Sequence, residues 1–258
     1  MRVLVTNDDG VEAPGLLALT EAVVAAGHEA VVIAPSGERS GSGAAIGRLH
    51  RSGPIACTEV EWAQLPGVEV FALDVPPAAA VYAGVLGTFG PPPDAVVSGV
   101  NPGLNYGHLV LHSGTVGAAL TAAAVGIPGV AVSIAWSEHP RWATAAAFAP
   151  GALAWLATLD GPARVVNVNA PDLPLDEVRG VRAGTPAPFL ERWKAERHPG
   201  EIHLEYVGRE HEPPAGSDLA VVLAGYTSVT VLQGIGAGEG DAVAAAVAAS
   251  TLSYPARS

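Results

Sequence analysis

The chain has 258 residues, 49% of them hydrophobic, enough to bury one large core or one core with an appendage. Its formal net charge of −12 excludes a sequence-independent grip on a nucleic-acid polymer, which needs clustered Lys and Arg, but admits a small phosphate ester held by a cation and backbone N–H groups. Cys57 is the only cysteine and Lys194 the only lysine, so a disulfide framework, a thiolate zinc cluster, a Walker-type phosphate loop and a lysine Schiff base all drop out.

In chain order, residues 3–6 form an apolar run that reads as a buried strand. Residues 14–26 carry Leu16, Leu17, Leu19, Val23 and Val24 at helical spacing, with Gly27 where a C-cap belongs, which completes a βα unit. Met1-Arg2 ahead of such a strand does not read as a signal peptide, and a reducing, cytoplasmic location is expected. A second strand at 30–34 is ended by Pro35 and a Gly/Ser-rich loop to Gly43. Further strands are expected at 70–73, 95–97, 130–134 and 165–168, and helices at 78–86, 115–125 and 143–159. Strands apolar nearly throughout point to a parallel sheet covered on both faces. The apolar stretch 118–136 is interrupted by Gly126-Ile127-Pro128-Gly129, so it reads as helix, turn and strand, and no membrane partner is expected. Residues 191–212 hold ten of the chain's Asp, Glu, Lys and Arg residues and form an exposed arm. Within it Ile202, Leu204 and Tyr206 alternate with polar residues, as in a half-buried strand or hairpin. The Ala/Val helix expected at 241–250 is too apolar to stand alone in water and must dock on something.

Ligands of open parallel sheets sit outside the carboxyl ends of the strands, where loops and helix N-termini share one edge. Polar residues gather there: Asn7, Asp8 and Asp9 after the first strand, then Ser36, Ser40 and Ser42 after the second. Ser98-Gly99-Val100-Asn101-Pro102-Gly103-Leu104-Asn105 follows the strand at 95–97. Carboxylates, a serine hydroxyl and an asparagine carbonyl make an all-oxygen set that suits Mg²⁺ or Mn²⁺ rather than zinc. Taken alone, Asp-Asp-Gly after a strand is more often an N-capped turn than a metal site. His112-Ser113-Gly114-Thr115 opens the helix at 115–125, and such a start either offers N–H groups and hydroxyls to an anion or is an ordinary cap at Ser113 or Thr115. His198, His203 and His211 lack zincin spacing, Gly41-Ser42-Gly43 lacks dinucleotide-fold spacing, and there is no G-x-S-x-G nucleophile elbow.

Together these pieces resemble the SurE family of nucleotide phosphatases. The matching parts are Val-Thr-Asn-Asp-Asp-Gly-Val at 5–11, Ala13-Pro14-Gly15, Ala34-Pro35 with Arg39-Ser40-Gly41, and the 98–105 segment. Ser113-Gly114-Thr115-Val116, Asn167-Val168-Asn169-Ala170-Pro171 and Gly225-Tyr226-Thr227-Ser228-Val229-Thr230 add to them. The match is close over 1–135, patchy over 165–232 and weak in the arm. The resemblance implies a Rossmann-like three-layer α/β/α sandwich with an extra hairpin arm. It also implies a C-terminal segment exchanged between subunits of a homodimer or homotetramer. One domain then spans 1–258, with a core over about 1–180 and 216–235, the arm over about 184–215 and the exchanged helix over about 236–258. It further implies one divalent cation per subunit, Mg²⁺ or Mn²⁺, held by Asp8, Asp9, Ser40 and Asn101, and hydrolysis of a small phosphate ester, typically a nucleoside 5′- or 3′-monophosphate. Asp8 or Asp9 is expected to take the proton of the attacking water. Asn7, Gly41, Asn105 and the Ser113-Gly114-Thr115 helix start hold phosphoryl oxygens, and His112 donates to the leaving oxygen. An aspartyl-phosphate route ranks lower, because the second aspartate of a D-x-D motif would fall on Gly10.

Two segments depart from the family pattern. Where the family usually has Gly-Thr-Pro-x-Asp-Cys-Val, this chain has Asp74-Val75-Pro76-Pro77-Ala78-Ala79-Ala80-Val81; after Ser40, the usual His or Asn and the following Thr appear as Ala44 and Gly47. Both changes delete side-chain hydrogen bonding and spare every expected cation ligand. A specialised metabolite phosphate is therefore an alternative substrate, and a non-catalytic cation- and nucleotide-binding protein is the rival of a different class.

Overall fold

The computed structural model describes residues 1–47, 53–188 and 190–234. The helix expected at 241–250, with the whole exchanged segment 236–258, lies outside the described residues. Strand and helix alternate from the start: β1 (Arg2–Thr6), α1 (Pro14–Ala25) and β2 (Glu29–Pro35), then β3 (Cys57–Glu59), β4 (Glu69–Leu73), α2 (Pro77–Val85), β5 (Ala95–Pro102), α3 (Gly114–Ala124) and β6 (Gly129–Ile134). Pro14 and Pro77 each open a helix, where the missing N–H of proline costs nothing. The single helix expected over 143–159 is two, α4 (Trp142–Ala146) and α5 (Ala149–Leu156), with Pro150 in the first turn of the second. Proline in a helix interior removes a hydrogen bond and clashes with the preceding turn, so the chain restarts there. The remaining elements are β7 (Val165–Ala170), β8 (Val181–Ala183), β9 (Glu191–His198), β10 (Glu201–Arg209), α6 (Asp218–Leu223) and β11 (Thr227–Leu232).

Among the described residues, nine strands form one sheet in the order β3-β4-β2-β1-β5-β6-β7-β11-β8. From β4 to β7 all pairings are parallel, as expected; β3 runs antiparallel on one flank and β11 antiparallel to β7 on the other, with β8 parallel to β11. Alternation along β1 sends Val3 and Val5 to one face, against Leu16, Leu19 and Val23 of α1 and Ala145, Ala149 and Leu153 of α4 and α5. Leu4 points the other way and packs with Ile33 against Ala79, Ala80 and Val81 of α2 and Ala118 and Ala122 of α3. Each such large aliphatic side chain contributes about 1.5–3 kcal/mol on burial, so the two-sided stripe is what makes the three layers. The arm is the separate antiparallel hairpin β9–β10. Its side chains are almost all exposed, including Ile202, Leu204 and Tyr206, so the half-buried state expected for it does not occur within one chain.

From β1 the chain builds β2 and β4 on one side and then crosses to β5 on the other. The carboxyl ends of β1 and β5 therefore flank a topological switch point, the position where open α/β sheets leave a crevice.

Candidate active site

The turn after β1 is fixed by its own residues. Gly10 has φ +102° and lies so close to Gly37 that an added Cβ would come 3.0 Å from the Gly37 Cα. Asn7 Nδ2 donates to the Gly10 carbonyl at 2.9 Å, and Asn7 Oδ1 accepts from the Gly10 N–H at 3.2 Å. Asn7 is fully buried, and its amide braces the Asp8-Asp9 turn.

Asp8 meets the start of α3. The Thr115 hydroxyl lies 2.5 Å from Asp8 Oδ1, to which it donates, and 3.3 Å from Asn101 Oδ1, so one hydroxyl gathers the loops after β1 and β5 at a helix N-terminus. Gly114 permits this approach: a Cβ there would sit 2.7 Å from Asp8 Oδ2 and from Ser42 Oγ. Burial raises the Asp8 pKa above 3.8 even though the Thr115 hydroxyl and nearby backbone N–H groups favour the charged form. Asp9 is pushed up to about 7, first by burial and then by the charges of Asp8 and Glu38. Among the described residues neither aspartate has a basic partner. Asp9 Oδ2 and Ser42 Oγ are both buried without a hydrogen-bond partner. Buried oxygens are rarely left unpaired, and two adjacent carboxylates with an orphaned oxygen fit a hard cation. No cluster of three or more His, Cys, Asp or Glu suited to a metal occurs among the described residues, so any ligand set here mixes carboxylates with neutral oxygens.

Asn101 owes its aim to a bulge. The β5–β6 register shifts between Ser98 and Asn101, and Gly99, at φ +132°, has room for no Cβ, which would lie 2.2 Å from the Val132 carbonyl. Asn101 Nδ2 donates to the Gly103 carbonyl at 2.7 Å, which leaves Oδ1 beside Thr115. The Arg39 N–H donates to the Asp8 carbonyl at 2.6 Å, so the loop is strapped to the site, but the Ser40 hydroxyl is exposed and donates to Glu38 Oε1 at 2.9 Å. In this position it makes no hydrogen bond to Asp8, Asp9 or Asn101. Gly41, at φ +74°, is exposed on the same loop.

At the helix start, Ser113 is an N-cap whose Oγ accepts from the Val116 N–H at 3.1 Å, and Thr115 is committed to Asp8. The helix end thus lies against the Asp8 carboxylate, with Gly114 and Thr115 at the contact. His112 is exposed just ahead of the cap. Asn105 is buried in a polar knot: its N–H donates to Asn169 Oδ1 at 2.8 Å, its carbonyl accepts from Asn167 at 2.7 Å and Asn169 at 3.0 Å, and its Nδ2 donates to Ser133 Oγ at 2.9 Å. Ser133, Asn167 and Asn169 were not among the residues selected from the sequence. The signal was there in Asn167-Val168-Asn169, two polar residues on one face at the carboxyl end of an apolar strand.

With this geometry in hand, the chain can be set beside known proteins. A family model described as Survival protein SurE matches residues 3–191. The chain is 36% identical over 241 residues to a 5′-nucleotidase SurE of Aeromonas hydrophila, covering 90% of this chain and 92% of that protein. It is 35% identical to a 5′/3′-nucleotidase SurE of Serratia proteamaculans, covering 90% of each. Among solved structures, the SurE protein of Aquifex aeolicus superposes with a TM-score of 0.75 at 29% identity, covering 90% of this chain and 93% of the other.

Proposed function

Because the chain belongs to the SurE family, we propose that it is a phosphomonoesterase that hydrolyses nucleoside 5′- or 3′-monophosphates to nucleoside and phosphate, using one divalent cation per subunit at the carboxyl end of β1. The observation that carries this is the Asp8-Asp9 pair at the switch point, Asp8 buried and Asp9 half-buried, without a basic partner among the described residues and with Asp9 Oδ2 unpaired. Asp8, Asp9 and Asn101 are the residues that would hold the cation, with Ser42 a neutral oxygen beside Asp8. Ser40 joins them if its hydroxyl turns away from Glu38. A bound Mg²⁺ or Mn²⁺ supplies positive charge to the phosphoryl oxygens and makes nearby water a stronger acid. Thr115 and the α3 N-terminus keep the Asp8 carboxylate fixed, so no reorganisation is needed as charge moves. Asp8 or Asp9, through a carboxylate oxygen not on the cation, takes the proton of the attacking water. The second amide hydrogens of Asn7 and Asn105, the free Ser113 hydroxyl proton and the Gly41 N–H are donors available to the phosphoryl group, with Gly114 and Thr115 at the same helix start, and His112 stands outside them towards solvent.

Phosphate release is the test. The purified protein with Mn²⁺ or Mg²⁺ should release phosphate from nucleoside monophosphates, and release from no phosphate ester would favour the non-catalytic binding reading. A specialised metabolite phosphate is favoured by one observation: the two departures from the family pattern abut, Gly47 lying so that a Cβ would be 3.3 Å from Pro76 Cδ, next to an Arg39–Asp74 ion pair of 2.5 Å. Sugar phosphates cleaved faster than every nucleotide in the same panel would select that substrate class.

The same proposal includes a homodimer or homotetramer and a cytoplasmic location. Support for the assembly comes from the β9–β10 hairpin, which exposes Trp193, Ile202, Leu204 and Tyr206. A two-stranded hairpin is marginal alone, and a second copy of the chain would cover it. Cys57 is free and exposed, which suits a reducing compartment.

A further inference from the structure

The carboxylate of Asp218 lies far along the chain from the site and is almost completely buried, yet among the described residues no cation pairs with it. Three backbone N–H groups satisfy it instead. Oδ2 accepts from Gly107 at 2.7 Å, and Oδ1 accepts from Ala187 at 3.0 Å and Leu219 at 2.9 Å. These donors belong to three segments: the loop after β5, the base of the hairpin arm, and α6. Burying a carboxylate is costly, and hydrogen bonds to a charged acceptor are about twice as strong as neutral ones, so this group is a strong and expensive fastening.

What it fastens is the loop that leads to Asn105. On its inner side that loop is held by Asn167, Asn169 and Ser133. On its outer side Leu104 and Tyr106 pack against Ala187, Leu190 and Leu219, and the Tyr106 hydroxyl donates to Glu191 at the first residue of β9. Gly107 is pressed so tightly that a Cβ would lie 2.3 Å from the Ala187 carbonyl. The segment from Asn101 to Thr115 carries Asn101, Asn105, Ser113 and Thr115 of the proposed site, and Gly107 is its outer anchor.

We infer that Asp218 is a positioning residue: its carboxylate locks the Asn105 loop to the base of the arm, and so sets phosphate affinity without touching phosphate. The inference rests on the proposed phosphatase site and adds to it a residue 111 positions from the loop it holds. It also makes the arm base and the phosphate loop move as one body.

The substitution Asp218→Asn tests this in the full chain, since the amide nitrogen cannot accept from Gly107. Inorganic phosphate, read as a competitive inhibitor of p-nitrophenyl phosphate hydrolysis with Mn²⁺, should bind the variant about tenfold more weakly, with KM rising alike. The calorimetric Mn²⁺ affinity should stay unchanged, because Asp8, Asp9 and Asn101 are held by other contacts. Unchanged phosphate affinity would overturn the inference, and so would an equal loss of phosphate and Mn²⁺ binding, which would mark a general support of the fold. Hydrogen exchange on the unsubstituted protein decides the case if the variant does not fold. Adding phosphate should slow exchange at residues 105–107 and at Thr185 and Ala187 together, and protection confined to 105–107 would overturn the coupling. Failure of the unsubstituted protein to bind inorganic phosphate at all would sink the phosphatase proposal itself, a result distinct from the others.

Discussion

Asp8 and Asp9 combine two opposing physical demands, since burial favours the protonated acid while a hard cation requires the carboxylate. Asp9 holds its proton to about pH 7 in the folded chain but releases it near 3.8 when unfolded, and Asp8 is shifted the same way. Between those values the folded state binds more protons than the unfolded one, so these groups stabilise the metal-free protein at low pH and lose that contribution as pH rises through about 7. In EDTA the melting temperature should therefore be higher at pH 5 than at pH 8, and Asp9→Asn should flatten that slope; an unchanged slope in the variant would refute the assignment. Mn²⁺ should raise the melting temperature more at pH 8 than at pH 5, because binding at the lower pH must first displace protons. Asp8→Asn should abolish phosphate release while the circular dichroism spectrum is retained, and a rate within a few-fold of the parent would exclude Asp8 from the site. Thr115→Val removes a hydroxyl shared by Asp8 and Asn101, and a loss of turnover of about tenfold is expected, measured with p-nitrophenyl phosphate.

At the scale of elements, the close fit of α3 to the turn after β1 makes Gly114 as demanding as any charged residue. Gly114→Ala places a methyl group 2.7 Å from both Asp8 Oδ2 and Ser42 Oγ, so Mn²⁺ affinity measured by calorimetry should fall by at least about tenfold although the substitution favours helix. Retained affinity would mean that Asp8 does not work from its observed position. Elements with a strong local signal were legible in the sequence. The strands ending in Thr6, Pro35 and Ile134 are nearly pure apolar runs, and the helix from Pro14 has its apolar stripe. The flanking strands were not legible, because Cys57-Thr58-Glu59 and Val181-Arg182-Ala183 are short and exposed, and Thr227 to Leu232 opens on two polar residues. Their pairing is decided by the sheet edge they meet. The loops of the site could be chosen from the sequence, since strand order and carboxyl ends fix where polar residues converge. Which way each side chain turns could not. Ser40 turns to Glu38 and Asn7 closes its own turn, choices set by local backbone geometry, whereas the Ser113 cap was one of the two readings the sequence offered.

For the whole molecule, the exposed hairpin is the feature a single chain leaves unexplained. If a second copy covers it, Trp193→Asp with Leu204→Asp should lower the mass measured by light scattering towards that of one subunit, and an unchanged oligomer would exclude the hairpin as the contact. No helix among the described residues is long and apolar enough to cross a membrane, so those apolar arm residues are not explained by a helical span. The fastening of Gly107 by Asp218 also has a meaning in time. A contact that closes a loop of 111 residues is made late, because loop closure over such a distance is slow and needs both ends to exist. During synthesis the aspartate pair is made almost at once, but the anchor of its phosphate loop emerges only after Asp218 has left the ribosome. On the role inferred for Asp218, a nascent chain would thus carry the acidic half of the site for most of its synthesis before the loop beside it is fastened.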